Sequence, residues 1–237
     1  MTRVYLATDI GPSREMNEDA VAVLDRETYI VADGMGGYTS GEVASHMLVA
    51  SVRETLESQE HFSATELKKA LLCANEEILQ AVRTHPAYAG MGTTATICHR
   101  EGEEFAWAHV GDSRLYLLRD GKLQQITRDH SLVSELVANG SITPEEAMTH
   151  PKRNVITRAV GVAEELMVDE GIFRAKLKDV LLLASDGLTS VLPDPDLCAL
   201  LLHALSNEED AARYLVDKAI EAGSHDNISA IVAIYNA

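Results

Sequence analysis

Apolar and polar positions along this chain switch between two periods, and the switches outline its elements. Near the start, the short apolar runs Val4–Thr8, Ala20–Leu24 and Tyr29–Ala32 have the length and composition of strands. Apolar residues three and four apart come next. Gly41–Ser58 places Val43, Met47, Leu48 and Leu56 near one helical face, and Leu67, Ala70, Leu71, Ala74, Ile78 and Val82 form the stripe of a second helix. Ser63-Ala64-Thr65-Glu66 ahead of that stripe predicts a capping box in which Ser63 satisfies an orphan amide. Strand-like segments return at Thr93–His99, Glu104–Val110, Arg114–Leu118 and Lys122–Thr127. The last two are joined by Asp120-Gly121, a two-residue hairpin pair that tolerates positive φ. The segment from Asp129 to Asn154 is polar and mixed, with short helical pieces at Leu132–Asn139 and Pro144–Met148. Strand Val180–Ala184, helices near Asp196–Leu205 and Asp210–Ala222, and a closing strand Ile228–Tyr235 follow. This order predicts an α+β layered fold, with antiparallel sheet inside and helices outside. No repeat, linker or low-complexity stretch interrupts it, so residues 1–237 read as one domain.

Bulk properties narrow the partners. The net charge of −17, from 20 basic and 37 acidic side chains, argues against nucleic acid or anionic lipid as the main partner. A solvated surface accounts for most of that acidity, leaving a minority of carboxylates for bound cations. Cys73, Cys98 and Cys198 are odd in number, far apart and set in apolar patterns. They read as reduced, buried residues of a cytoplasmic protein. The start MTRVYLATDI lacks a signal-peptide layout, and no apolar run is long enough to span a bilayer.

The chemistry concentrates where strands end. In VADGMGGYTSGE, residues 31–42, an apolar run stops at Asp33 and passes into glycines. Asp186 follows the buried run ending at Ala184 in the same way, Asp19 and Asp226 begin strands, and Asp112 lies at a strand turn. Any one of these could be a turn or cap residue. Converging on one edge, they would repel, two carboxylates about 4 Å apart by roughly 4 kcal/mol at an effective dielectric near 20. Such a cluster calls for divalent cations, and an all-oxygen donor set favours Mg²⁺ or Mn²⁺. The nine histidines form no HExxH and the cysteines have no ligand spacing, so zinc is not favoured. The glycine loop lacks the Lys-Ser/Thr of a P-loop and the spacing of a dinucleotide fingerprint. Its simplest use is to let backbone approach a ligand, with the Gly34 carbonyl available to a metal.

Eight motifs then occur in order: TDIGPSREMNED from Thr8, VADGMGGYTSGE, MGTTAT from Met91, HVGDSR from His109, TRDHS from Thr127, NVITRA from Asn154, LASDGL from Leu183, and Asp226-Asn227. On these the chain resembles the bacterial type 2C metal-dependent Ser/Thr protein phosphatases, the PPM family, nearly end to end. The resemblance implies an αββα sandwich: two antiparallel β-sheets flanked by helix pairs, with a metal site at one edge. It implies Asp33 as the ligand bridging two Mn²⁺ or Mg²⁺ ions, the Gly34 carbonyl on one ion, and Asp186 and Asp226 on the other. Asp19, with Glu18, would act mainly through metal-bound water. Asp112 and Asp186 match the positions for a third, weaker ion. Arg14 matches the arginine that grips the substrate phosphate, and residues 129–154 match a mobile flap. The implied activity is hydrolysis of phosphoserine and phosphothreonine in proteins by a metal-bridging hydroxide, acting as a monomer and opposing a Ser/Thr kinase. Two departures stand out: Met35 and Tyr38 occupy places where relatives carry histidine. Gly223-Ser224-His225 replaces a usual glycine pair. A phosphoprotein-binding pseudophosphatase and a hydrolase of small phosphate esters are the rival readings.

Overall fold

The computed structural model describes residues 2–25, 27–37, 40–57 and 61–236. Two antiparallel sheets form the centre. One carries β1 (Arg3–Asp9), β11 (Ile228–Ile234), β10 (Val180–Ala184), β7 (Arg114–Arg119) and β8 (Lys122–Gln125), in that spatial order. The other carries β2 (Asp19–Leu24), β3 (Thr28–Met35), β5 (Ala95–Glu101), β6 (Glu104–Val110) and β9 (Asp169–Arg174), with β4 (Gly92–Thr93) pairing the end of β3. Helices α1 (Ser40–Glu57) and α2 (Ala64–Thr84) belong to the β2-containing sheet; α6 (Asp194–Ser206) and α7 (Ala211–Glu221) belong to the other.

Three apolar layers hold these elements as an αββα sandwich. Leu48, Val52, Leu67, Leu71 and Ile78 from α1 and α2 pack on Ile30, Ala32 and Ile97. Leu197, Leu201, Leu215 and Val216 from α6 and α7 pack on Tyr116, Leu182 and Val232. Between the sheets, Tyr29, Val31, Cys98 and Phe105 meet Leu115, Leu181, Leu183 and Ile231. Strands β3 and β10 are covered on both faces, which is why they read as continuous apolar runs rather than alternating ones. The Asp120-Gly121 hairpin forms as expected, both residues at positive φ (51° and 73°).

Several details differ from the sequence reading. The capping box at Ser63 does not form: its hydroxyl donates to the Glu66 carboxylate and leaves the helix amides alone. A capping box does form at Thr143 and Glu146, ahead of α4 (Pro144–Met148). The predicted strand Thr93–His99 breaks at Thr94, whose side chain turns to the site described below. Strand β9 has no counterpart in the sequence reading. Its sequence DEGIFR is an edge strand with exposed Glu170, Ile172 and Arg174, and Gly171 lies under the Trp107 ring, where a Cβ would come within 2.7 Å. Cys73 is exposed rather than buried, because it sits off the apolar stripe of α2; Cys98 is buried, Cys198 half-buried, and all three are free. Ser58 and Tyr38 lie outside the described residues. Among those described, no helix is long and apolar enough to cross a membrane.

Candidate active site

Strand register brings the strand-end carboxylates to one edge of the sandwich. Antiparallel pairing of β2 with β3 sets Asp19 directly opposite Asp33. In the other sheet, Arg114, Ala184 and Ala230 lie side by side across β7, β10 and β11. Just beyond that row stand Asp112 in the β6–β7 turn, Asp186 opening the short helix α5 (Asp186–Thr189), and Asp226 ahead of β11. The two sheets are stitched together at this edge. Ser185 Oγ donates to Asp19 Oδ2 at 2.8 Å, and the Thr94 and Ser113 hydroxyls are 2.8 Å apart. Thr94 Oγ1 also accepts the Asp33 amide at 2.9 Å, while the Asp33 carbonyl accepts from the Thr94 amide and the Thr93 hydroxyl. The Asp33 backbone is therefore held independently of its carboxylate.

The Gly-rich stretch allows a close approach. A Cβ on Gly34 would stand 2.1 Å from the Gly41 carbonyl and 2.6 Å from that of Glu18. Only glycine lets the start of α1 press against the end of β3, and the Gly34 amide donates to the Glu18 carbonyl at 3.1 Å.

Asn227 fixes the loop between β1 and β2. Its Nδ2 donates to the carbonyls of Ile10 and Met16, both at 2.9 Å, and its Oδ1 accepts the Glu18 amide at 2.8 Å. That loop presents Arg14, whose Nη2 is 2.7 Å from Asp226 Oδ2. The partner is neither Glu15 nor Glu18, the acids a purely local structural role would use. Ser224 donates to the Gly187 carbonyl at 2.7 Å, and His225 Nδ1 lies 3.0 Å from Ser13 Oγ, so the Asp226 and Arg14 loops are tied to each other. Ser185, Thr94 and Asn227 carry much of this scaffolding. All three sit inside the sequence motifs, which give no sign of this part, since their partners lie 19 to 217 residues away.

The electrostatics agree with convergence. Burial pushes Asp33 well above the usual carboxylate range, and Asp19, Asp186, Asp112 and Asp226 each push it further. Burial raises Asp19 to about 7, with Asp186 and Asp226 adding and the serine hydrogen bonds opposing. Burial followed by Asp186 and Asp129 raises Asp112 to about 8, against the pull of Arg114. Asp186 is raised by burial and then by Asp226. Asp112 makes no hydrogen bond with its neighbours Ser113 and Arg114. Ser113 is taken by Thr94, and Arg114 grips Asp129 through Nε and Nη2 at 2.7–3.0 Å.

These residues fit divalent cations. Glu18 Oε1, Asp19 Oδ1 and Asp186 Oδ1 are buried without a hydrogen-bond partner, a costly state that positive charge relieves. Among the described residues, no three His, Cys, Asp or Glu side chains form a ready-made cage. A hard cation that keeps several waters and takes one or two carboxylates suits such an arrangement; zinc does not.

A pH dependence follows, and its sign is fixed by the raised values. Asp19 and Asp112 hold protons in the folded state that the unfolded chain, near 3.8, has released. Their stabilising contribution is full below the unfolded value and is lost as pH rises through about 7 and 8. His109, held down at about 4 by burial, acts in the opposite sense only below its unfolded value of 6.5. Metal-free protein is thus expected to melt at lower temperature at about pH 8.5 than at about pH 6.5, with added Mn²⁺ flattening the slope. Melting curves in chelator across that range check it; a rising melting temperature would contradict the raised carboxylates.

Beside Asp112 and Asp186 opens a groove of about 630 Å³. Val133, Val137 and Met148, from α3 (Leu132–Ala138) and α4, form one wall, and Pro193 and Pro195 the other.

An αββα sandwich with buried carboxylates gathered at one edge and an arginine at its rim defines a class of metal-dependent phosphate-ester hydrolases. The family model described as "Protein phosphatase 2C" matches residues 13–222, and the chain belongs to that family. It is 36% identical over 234 residues to the "Serine/threonine phosphatase stp" of Listeria monocytogenes, covering 95% of this chain and 92% of the relative. The crystal structure of the Mycobacterium tuberculosis serine/threonine phosphatase PstP/Ppp superposes with a TM-score of 0.93 at 35% identity, covering 100% of this chain and 99% of that one. A structure of the PstP catalytic domain in complex with two manganese ions gives 0.90 at 34% identity, with 100% and 99% covered.

Proposed function

We propose that this chain hydrolyses phosphoserine and phosphothreonine in proteins with the help of Mn²⁺ or Mg²⁺. The observation that carries this reading is the convergence of Asp19, Asp33, Asp112, Asp186 and Asp226 on one strand edge, where buried oxygens of Glu18, Asp19 and Asp186 lack partners. Family membership and relatives named as serine/threonine phosphatases support it. In this reading Asp33 would serve both tightly bound ions, the Gly34 carbonyl would serve one, and Asp186 and Asp226 the other. Asp19 and Glu18 would act mainly through water, and Asp112 with Asp186 would hold a third, weaker ion. Bound divalent ions supply Lewis acidity, which makes water a competent nucleophile near neutral pH and neutralises phosphate oxygens.

The protein's own part is orientation. Arg14 offers phosphate a planar fork of donors. Its pair with Asp226 is solvent-exposed, and exposed pairs contribute little, so the guanidinium can exchange Asp226 for phosphate at small cost. Asn227 holds the loop that presents it. The groove beside Asp112 is where the polypeptide flanking the phosphorylated residue would lie, which favours proteins over small esters. The substrates are phosphorylated proteins, a Ser/Thr kinase among them. The chain works as a cytoplasmic monomer without nucleic acid or membrane, as one domain whose residues 129–154 form the flap.

Arg14→Ala is expected to lower kcat/KM by roughly 10- to 150-fold, chiefly through KM, for loss of a charge-assisted contact worth about 1.5–3 kcal/mol. Steady-state kinetics checks it; normal kinetics with a lowered melting temperature would make Arg14 structural. The function itself is tested by turnover of phosphopeptides against sugar phosphates and nucleotides. Preference for the small esters would favour the rival hydrolase, and no turnover of any of them with Mn²⁺ a phosphoprotein-binding role.

A further inference from the structure

The motif Thr127-Arg128-Asp129-His130-Ser131 contributes Asp129 to the bracing of Arg114, but His130 has no part in the site so far. It is tethered on several sides, two of them leading to Asp112. The His130 amide donates to the Gly111 carbonyl at 2.7 Å, and its ring Nδ1 accepts the Gly111 amide at 3.1 Å. Both backbone groups of the residue before Asp112 thus end on one side chain and its own backbone. Gly111 has φ +108°, and a Cβ there would meet the Thr94 side chain at 2.6 Å. The turn therefore has no side chain at this point with which to fix itself.

On its far side His130 is anchored to two other segments. Its carbonyl accepts the Thr157 amide at 2.7 Å, and Ser131 bridges to Ile156, so the chain returning from residues 129–154 is pinned here. The ring Nε2 lies 3.2 Å from Asp169 Oδ2 on β9, and Arg158 Nη1 donates to Asp169 Oδ1 at 3.0 Å. Nε2 is also 3.2 Å from Arg158 Nη1; because Nδ1 accepts, the neutral ring carries its proton on Nε2 and donates it to Asp169, while Arg158 gives its proton to Asp169 and not to the ring. The buried His109 ring packs against it, centroids 4.9 Å apart, with His109 Nδ1 2.9 Å from the Thr96 hydroxyl.

We infer that His130 is a positioning residue for the phosphatase reaction: through Gly111 it sets where Asp112 stands, and it ties that turn to β9 and to the end of the flap. A histidine that merely fills core space needs neither ring nitrogen directed. Here both are used, one of them on the residue next to Asp112. The inference rests on the reading of Asp112 as a functional carboxylate.

Two substitutions separate the tethers. Asn at position 130 keeps an acceptor near the place of Nδ1 but stops short of Asp169. Gln reaches toward Asp169 but has no acceptor where Nδ1 stands. His130→Gln is expected to lose about tenfold or more in kcat on a phosphothreonine peptide with KM little changed, since the Gly111 amide is left unsatisfied. His130→Asn should recover most of that loss. In an Asp112→Ala background, His130→Gln should add almost nothing, because both changes act through one group. All variants are assayed well below their measured melting temperatures. Equal kcat losses for Asn and Gln, a lowered melting temperature with intact kcat in the Gln variant, or a full further loss in the Asp112→Ala background would each overturn the positioning role. If Asp112→Ala alone retained full turnover, the reading of Asp112 would fall and this inference with it. A crippled Asp112→Ala beside a fully active His130→Gln would overturn the positioning role alone.

Discussion

Asp33→Asn is expected to abolish phosphatase activity, weaken Mn²⁺ binding by at least about a thousandfold and leave the fold standing. Two unit charges about 4 Å apart at an effective dielectric near 20 interact by roughly 4 kcal/mol, or about three decades in affinity, and the double charge of Mn²⁺ makes that the least to expect. Asp33 is the right place for the largest effect, since all of Asp19, Asp186, Asp112 and Asp226 act on it. The fold should survive because Thr93 and Thr94 hold the Asp33 backbone through its amide and carbonyl. Removing the carboxylate also relieves repulsion among its neighbours, so metal-free Asp33→Asn should melt no lower than wild type at about pH 8. Calorimetric titration with Mn²⁺ and melting curves in chelator test both halves. Unchanged metal affinity would take Asp33 out of the site.

The second large effect is expected at Asp112, and it should depend on the leaving group. The serine or threonine oxygen of a substrate protein leaves poorly unless it receives a proton, whereas p-nitrophenolate leaves readily without one. Met35 carries no proton to give. In the proposed reading Asp112 and Asp186, which line the groove together, would hold a third, weaker ion, and water on that ion would be the proton source that Asp112→Ala removes. Loss of a proton-delivering group costs about 100- to 10,000-fold. Asp112→Ala should therefore cut kcat on a phosphopeptide by that order, and on p-nitrophenyl phosphate far less. The opposing view, that Asp112 only caps the β6–β7 turn, loses support because Ser113 and Arg114 are committed to Thr94 and Asp129. Equal losses on both substrates would restore it.

Much of this was legible in the sequence, for a physical reason. Buried strands such as Val180–Ala184 must be apolar on both faces, so a carboxylate at their end stands out. The structure places Asp19, Asp33, Asp112, Asp186 and Asp226 at one edge because antiparallel register makes residues at opposite ends of paired strands neighbours. What could not be read is what depends on distant partners. Ser185 reaches Asp19, Asn227 reaches Ile10 and Met16, and His130 reaches Gly111 and Asp169, none of which a local pattern encodes. Strand β9 was hidden because an edge strand with exposed Glu170 and Arg174 and a glycine beneath Trp107 carries no apolar period. The Ser63 capping box failed for a related reason. Ser-x-x-Glu permits the reciprocal bonds, but the serine hydroxyl met the Glu66 carboxylate instead.

The most direct measurement of the central claim is phosphate release from a phosphothreonine peptide by the purified chain, after exhaustive chelation and again after Mn²⁺ is restored. The account predicts no release from the chelated protein, turnover once Mn²⁺ returns, and none from Asp33→Asn under the same restoration. Release that persists after chelation, or that Asp33→Asn supports as well as wild type, would contradict it.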